Sequence, residues 1–241
     1  MGKKDFEFIG KAIFLPKQKI LAVADLHIGF EDALSERGVF LPRAQYGIMK
    51  DEMKKIFART EEIKEIIILG DLKHKFGDIT SQEWTKVLDF LDFVAEKCEK
   101  ITLIKGNHDK VLKPIADIKG LEVKDFYVSG ENCFIHGNKI FKECLDKSVK
   151  RIILGHKHPA ITIREGVKAE IYKCFLVGKW RGKEIIVLPS FFPLVEGTDV
   201  EIEDTNLALP LKFSEFEAYV PLPEEDKVLK LGKVKNIGKL N

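Results

Sequence analysis

Apolar residues in the first half of the chain follow two rhythms. Ile20–Ala24, Ile66–Leu69 and Ile101–Lys105 are short, nearly unbroken apolar runs, the pattern of strands covered on both faces. Between them, Tyr46, Met49, Met53, Ile56 and Phe57 fall at near-helical spacing within Arg43–Thr60. Trp84, Val87, Leu88, Leu91 and Val94 form a second such stripe. Thr80 or Ser81 would cap that helix, which the pattern carries to about Lys97. Ahead of these, Phe6–Ile9 and Ala12–Leu15 read as a hairpin turning at Gly10-Lys11, and Gly29–Pro42 reads as a loop. The strand-helix-strand-helix-strand order predicts parallel pairing through right-handed crossovers.

The second half changes character. Leu121–Val123, Phe126–Ser129, Cys133–His136, Ile152–Leu154, Ala160–Arg164, Ile171–Val177 and Glu184–Leu188 read as strands joined by short turns. Gly178–Gly182, with Trp180 inside it, reads as a hairpin connection, and Asp146–Lys150 as the end of a short helix. Together these elements predict an α/β fold of two sheets packed face to face with helices outside. Leu222–Asp226 is polar and broken by Pro223, and Lys227–Leu240 intersperses apolar residues with lysines, as a charged edge strand does. A single domain over residues 1–241 is expected, with 222–241 as a C-terminal extension or edge strand.

Composition narrows the function classes. At 45% hydrophobic the chain can fill a core, and it has no apolar stretch of the roughly 18 residues that a membrane helix needs. The N-terminus lacks the apolar segment of a secretory signal, so a cytoplasmic location is expected. Cys98, Cys133, Cys144 and Cys174 show no CxxC spacing and read as buried, reduced thiols. Forty basic and 38 acidic residues give a net charge of +2, no blanket electrostatic case for nucleic acid. Lys73, Lys75 and the lysines beyond Asp226 read as solvated, with contact to a nucleic-acid backbone as the alternative. The chain is 32% charged with only three Gln, a usage similar to that of hyperthermophiles.

The chemistry is carried by the histidines. All six lie at or just past the end of an apolar run: Asp25-Leu26-His27, Gly70-Asp71 with His74 beyond, Gly106-Asn107-His108-Asp109, His136-Gly137, and Gly155-His156-Lys157-His158. Strand ends are where α/β sheets gather ligand groups. Imidazole, carboxylate and amide oxygen together form a transition-metal ligand set. Taken singly, each residue has a plainer reading as a hydrogen-bonded core histidine or a turn Asp or Asn.

The ordered set DxH, GD, GNHD, H, GHxH resembles the calcineurin-like metallophosphoesterase superfamily over roughly Lys19 to Leu188. The resemblance implies a four-layer αββα sandwich of two mixed sheets flanked by helices, holding two divalent metals at the strand ends. It implies Asp25, His27 and His158 on one metal, Asn107, His136 and His156 on the other, and Asp71 bridging. Water activated between the metals would be the nucleophile. His108 would act on the leaving group, with Asp109 orienting its ring. Mn²⁺ is the favoured metal, and Fe, Ni or Zn suit the same donors.

A narrower resemblance rests on Gly70–Gly77, on Arg37-Gly38-Val39-Phe40-Leu41-Pro42 and on Pro189–Leu194. These stretches are similar to those of ligase-associated DNA damage response endonuclease-type phosphoesterases and their archaeal relatives. Phe192 departs from that pattern, where a polar Asn is expected. His74 and Arg37 would contact the substrate phosphate or leaving group, with structural roles as the alternative. The resemblance thus implies a phosphodiesterase, with nucleic acid among the candidate substrates. Alternatives are a phosphomonoesterase or nucleotide pyrophosphohydrolase and, in another class, a non-catalytic scaffold or repair-complex subunit. A homodimer is the favoured assembly.

Overall fold

The computed structural model describes residues 5–39, 44–75, 80–166, 168–194, 196–200, 207–222 and 225–237. Phe40–Pro42, Arg43, Phe76-Gly77, Pro223 and the chain beyond Ile237 therefore lie outside the described residues. The strands are β1 (Glu7–Ile9), β2 (Ala12–Leu15), β3 (Ile20–Val23), β4 (Glu65–Leu69), β5 (Lys100–Ile104), β6 (Glu122–Lys124), β7 (Phe126–Ser129), β8 (Asn132–Ile135), β9 (Arg151–Leu154), β10 (Pro159–Glu165), β11 (Lys168–Lys173), β12 (Phe175–Trp180), β13 (Lys183–Val187), β14 (Thr198–Asp199), β15 (Glu217–Leu222) and β16 (Lys227–Lys233). The helices are α1 (Phe30–Glu36), α2 (Gln45–Arg59), α3 (Ser81–Ala95), α4 (Lys113–Lys119) and α5 (Val234–Ile237).

One sheet runs β1-β2-β3-β4-β5-β6, and β3 to β6 are parallel. The second runs β16-β15-β12-β13-β9-β8-β7, and its central β13, β9 and β8 are parallel. A small sheet, β11-β10-β14, stands beside them. The unbroken apolar strands divide their side chains by parity. Ile20, Ala22, Ile67, Leu69 and Ile104 face Phe134, Ile153, Phe175 and Ile186 of the second sheet in a shared core. Their neighbours Leu21, Val23, Ile66 and Ile68 pack outward on Met49, Met53, Ile56, Val87, Phe90 and Leu91 of α2 and α3. On the far face, Cys133, Ile152, Leu176 and Ile185 pack on Leu209, Phe216 and Val234. The architecture is α/β with mixed sheets and flanking helices, as expected.

Several local expectations are corrected. Gly29–Pro42 is not all loop, because Phe30–Glu36 forms α1. Ile171–Val177 is two strands: β11 leaves for the small sheet and β12 enters the large one, with buried Cys174 between them. The turn before Asp146 is a 3-10 helix over Lys142–Leu145, so the helical residues precede the stretch expected to end a helix. β12 continues through Trp180, which confines the hairpin turn to Arg181 and Gly182. The charged edge strand is present as β16, but the chain then turns into α5.

Two chemical expectations also change. Cys133 and Cys144 are not free thiols; they form a disulfide, with Cα atoms 5.5 Å apart. The return from β8 into the 3-10 turn brings them together, which spacing along the chain does not reveal. Lys73 is not solvated: it is fully buried and donates to the carbonyl of Lys75. Lys75 in turn pairs with Glu36 of α1.

Candidate metal centre

Every predicted ligand lies at a strand end, and the chain must turn sharply to deliver it. Asp25 and His27 follow β3, Asp71 follows β4, and His156 and His158 follow β9. All five have positive φ, between 46° and 67°, a region that L residues rarely adopt and that clusters at functional sites. The two histidines of GHxH are thus not on an extended strand. Left-handed turns at both positions send them to different groups.

Three glycines make room for this. A Cβ on Gly106 would run into Asp71 Oδ1 and the Asp71 amide, and one on Gly70 would run into His136 Nδ1. A Cβ on Gly155 would lie 2.6 Å from Asp25 Oδ2. The glycines of GD, GNHD and GH are therefore packed against the ligands themselves. Gly106→Ala is expected to destabilise the protein by about 1–3 kcal/mol, the range for overpacking, and to weaken divalent-metal binding. Thermal unfolding with and without added metal would measure both; an alanine variant with unchanged metal affinity would show that the contact is dispensable.

The crevice gathers two groups. Ligand atoms of Asp25, His27 and His158 lie within 4.8 Å of one another, and so do those of Asp71, His136 and His156. Nε2 of His27 and Nε2 of His158 are 3.3 Å apart, and His158 Nε2 is 3.4 Å from Asp25 Oδ1. His136 donates Nδ1–H to the carbonyl of Leu69 at 3.0 Å, which turns the lone pair of Nε2 toward Asn107 Oδ1 at 3.0 Å and Asp71 Oδ2 at 3.5 Å. Ligand nitrogens and oxygens thus converge within each group, an arrangement that suits a shared cation. Asp25 Oδ1 is buried and has no hydrogen-bond donor among the described residues. The other oxygen of Asp25 accepts the amide of His156 at 2.8 Å.

Electrostatics point the same way. Burial, then Asp25 and Asp109, push the Asp71 carboxyl up to about 8. Burial also raises Asp25, but His158, His136 and His27 outweigh it and hold that group low. Burial and the neighbouring His158 keep His27 well below the ordinary histidine range, as a neutral ligand-ready imidazole. Two carboxylates buried this close together are costly without a compensating positive charge. The residues present therefore fit a divalent metal centre.

His108 and His74 sit beside the ligands. His108 donates Nδ1–H to the His74 carbonyl, its Nε2 is 3.9 Å from Asp71 Oδ2, and its backbone amide donates to Asp71 Oδ1 at 2.9 Å. Asp109 departs from the expectation that it accepts from the His108 ring. Its buried carboxylate instead accepts the amides of Gly106 at 3.0 Å and of Leu72 and Lys73 at 3.4 Å, tying the GNHD loop to the GDL turn. Backbone amides pointing inward have no other acceptor there, and they capture the carboxylate. Burial lowers His108 below the ordinary histidine range, and the bond to the His74 carbonyl and the charge of Asp109 offset only part of that. His74 packs edge-on against Phe30, with ring centroids 4.5 Å apart. Burial, His108 and Arg37 hold His74 down to about 4. Arg37 is exposed at the end of α1, close enough to act on His74 by charge.

Sequence reasoning missed the supports. Ser190 Oγ donates to the carbonyl of Asp25 at 2.9 Å, and Phe191 N–H donates to Ala24 O at 2.9 Å. Lys173 and Lys11 hold the carbonyls of that loop from beneath, at Ser190 and Phe192 and at Phe191. Burial, with Lys11 nearby, pushes Lys173 down to about 6. Phe192, which stands where the family pattern has a polar Asn, is buried and packs on Phe30 with ring centroids 5.4 Å apart. Glu83 of α3 accepts the amides of His74 and Lys75 at 2.9 and 3.1 Å. Only Ser190, next to the Phe-Phe-Pro run, carried any signal in the sequence.

Two mixed sheets that deliver Asp, Asn and His to a single strand-end crevice define the class as an α/β protein built to hold metal. The profile of the calcineurin-like phosphoesterase family matches residues 18–165, and the chain belongs to that family. Among solved structures, the nuclease MPE of Pseudomonas putida is similar at 21% identity and TM-score 0.65, covering 92% of each chain. Vps29 of Entamoeba histolytica, complexed with Zn²⁺, is 13% identical with TM-score 0.37, covering 88% of this chain and 98% of its own. No curated protein matches the chain. Among the described residues, no helix is long and apolar enough to cross a membrane.

Proposed function

We propose that this protein is a two-metal phosphoesterase that hydrolyses phosphodiesters, nucleic acid among them. The observation that carries the reading is the position of Asp71. Its Oδ2 lies 3.9 Å from His27 Nε2 and 3.5 Å from His136 Nε2, so one carboxylate oxygen faces both ligand groups. Asp25, His27 and His158 would hold one cation, Asn107, His136 and His156 the other, and Asp71 would bridge them. Divalent cations held by these residues would activate a water as nucleophile and neutralise charge on the phosphoryl group. Mn²⁺ is the favoured occupant, and Fe, Ni or Zn suit the same donors.

The chain's own residues supply orientation and the proton. The His74 carbonyl fixes the His108 ring through Nδ1–H, leaving Nε2 on the side of Asp71. Protonated there, His108 donates to the leaving oxygen as the ester bond breaks. His74 stacks on His108 with ring centroids 5.3 Å apart, and His74 and Arg37 would meet a non-bridging phosphate oxygen or the leaving group. Sharing a fold with a nuclease supports a diester substrate.

Hydrolysis of a chromogenic phosphodiester, measured beside the matching monoester with Mn²⁺ present, tests the reading. Preference for the diester is the expected result. Preference for the monoester would make the protein a phosphatase, and turnover of neither would favour a scaffold.

A further inference from the structure

A second opening lies at the strand ends of the first sheet. The four parallel strands of the first sheet, β3 to β6, end on one side, and the ligands described above use the ends of β3, β4 and β5. Beyond them, at the ends of β5 and β6, lies a cleft of about 390 Å³. It is lined by Lys105, Lys110, Lys113 and Lys124, together with Asp109, Asp117 and Asp125. Lys105 leaves β5 directly and its amide donates to the carbonyl of Lys124 at 2.8 Å, so the two lysines mark adjacent strand ends. Lys110 follows the GNHD turn, and Lys113 begins α4.

Charge in the cleft is unbalanced. Asp109 is buried and accepts backbone amides, which leaves Asp117 and Asp125 against the lysines. Lys124 is paired with Glu122 at 2.9 Å. Lys105, Lys110 and Lys113 are exposed, and among the described residues none of them is paired with a carboxylate. The lysines of β16, the other basic stretch, differ: Lys230 pairs with Glu217 and Lys233 with Glu215. Unpaired lysines in a cleft that shares Asp109 of the GNHD loop with the metal crevice suit a polyanion that reaches both places.

We propose that this cleft binds the phosphate backbone of a single-stranded nucleic acid flanking the phosphodiester in the metal crevice. The inference rests on the phosphodiesterase reading and deepens it. Lysines serve here as point charges on backbone phosphates and release counterions, without reading sequence.

The test is binding of a fluorescent phosphorothioate DNA oligonucleotide, which resists cleavage, to metal-loaded protein over a range of salt. K110Q/K113Q is expected to weaken binding at least about tenfold and to flatten the log–log salt slope by about 1.4, at ~0.7 per single-strand phosphate contact. K110R/K113R should restore both. K230Q/K233Q on β16 should leave the slope as it is. Wild-type affinity and slope in K110Q/K113Q, or an equal loss in K230Q/K233Q, would overturn the proposal. Turnover of a small chromogenic diester is measured in parallel. Its absence in the wild type overturns the phosphodiesterase reading, whereas the oligonucleotide slope decides the cleft by itself.

Discussion

Replacing Asp71 by Asn will empty the centre of metal and abolish turnover together. Asp71 uses its two oxygens differently. Oδ1 accepts the amide of His108 at 2.9 Å, and Oδ2 faces His27 and His136. An Asn that keeps the first bond through its oxygen must turn its NH₂ toward the two imidazoles. That group carries protons and offers no lone pair to a cation. Loss of an outer partner of a metal ligand typically costs 10–100-fold in affinity or activity. Loss of a shared ligand should exceed that, at least about 10²-fold in affinity, with activity below detection. Metal content by mass spectrometry and diester turnover on the same sample measure both. A variant that retains two metals per chain would show that Asp71 is not the bridge.

His108→Ala is expected to do the opposite for binding and nearly the same for rate. Both metals should remain, while turnover falls by roughly 10²–10⁴-fold, the range for a general acid or base. The geometry sets up the test, because ligand atoms of His27, His74 and His108 also lie within 4.8 Å of one another. If His108 is instead a metal ligand, the alanine variant loses metal in proportion to activity. A diester with a better leaving group separates the roles further. It needs less help from an acid, so it should recover much of the lost rate if His108 donates the proton and little if His108 holds metal.

Much of the site was legible because its chemistry is tied to chain position. Asp25, His27, Asp71, Asn107, His136, His156 and His158 each follow an apolar run, and an apolar run in an α/β chain is a strand whose end is the edge of the crevice. Residues that act from the side were not legible. Ser190 reaches Asp25 across 165 positions, and Lys173 and Lys11 meet the same loop from different sheets. The role of Asp109 was misread for a related reason. Adjacency to His108 suggested a ring contact, but the amides of Gly106, Leu72 and Lys73 compete for the carboxylate at closer range.

The sequence by itself determined the two-sheet core, the parallel order of β3, β4 and β5, and the set of residues at their ends. Those follow from local hydrophobic runs, and a short apolar strand has few ways to be buried on both faces. Tertiary structure decided how the ligands divide. His156 and His158 part company because both adopt left-handed backbone. Lys73 is buried by the packing around it. Cys133 meets Cys144 only once β8 and the following turn have folded back. The basic cleft exists only because β6 returns beside β5 and brings Lys124 to Lys105. Each of these depends on contacts between segments distant in the chain, or on a backbone torsion that only the assembled crevice enforces.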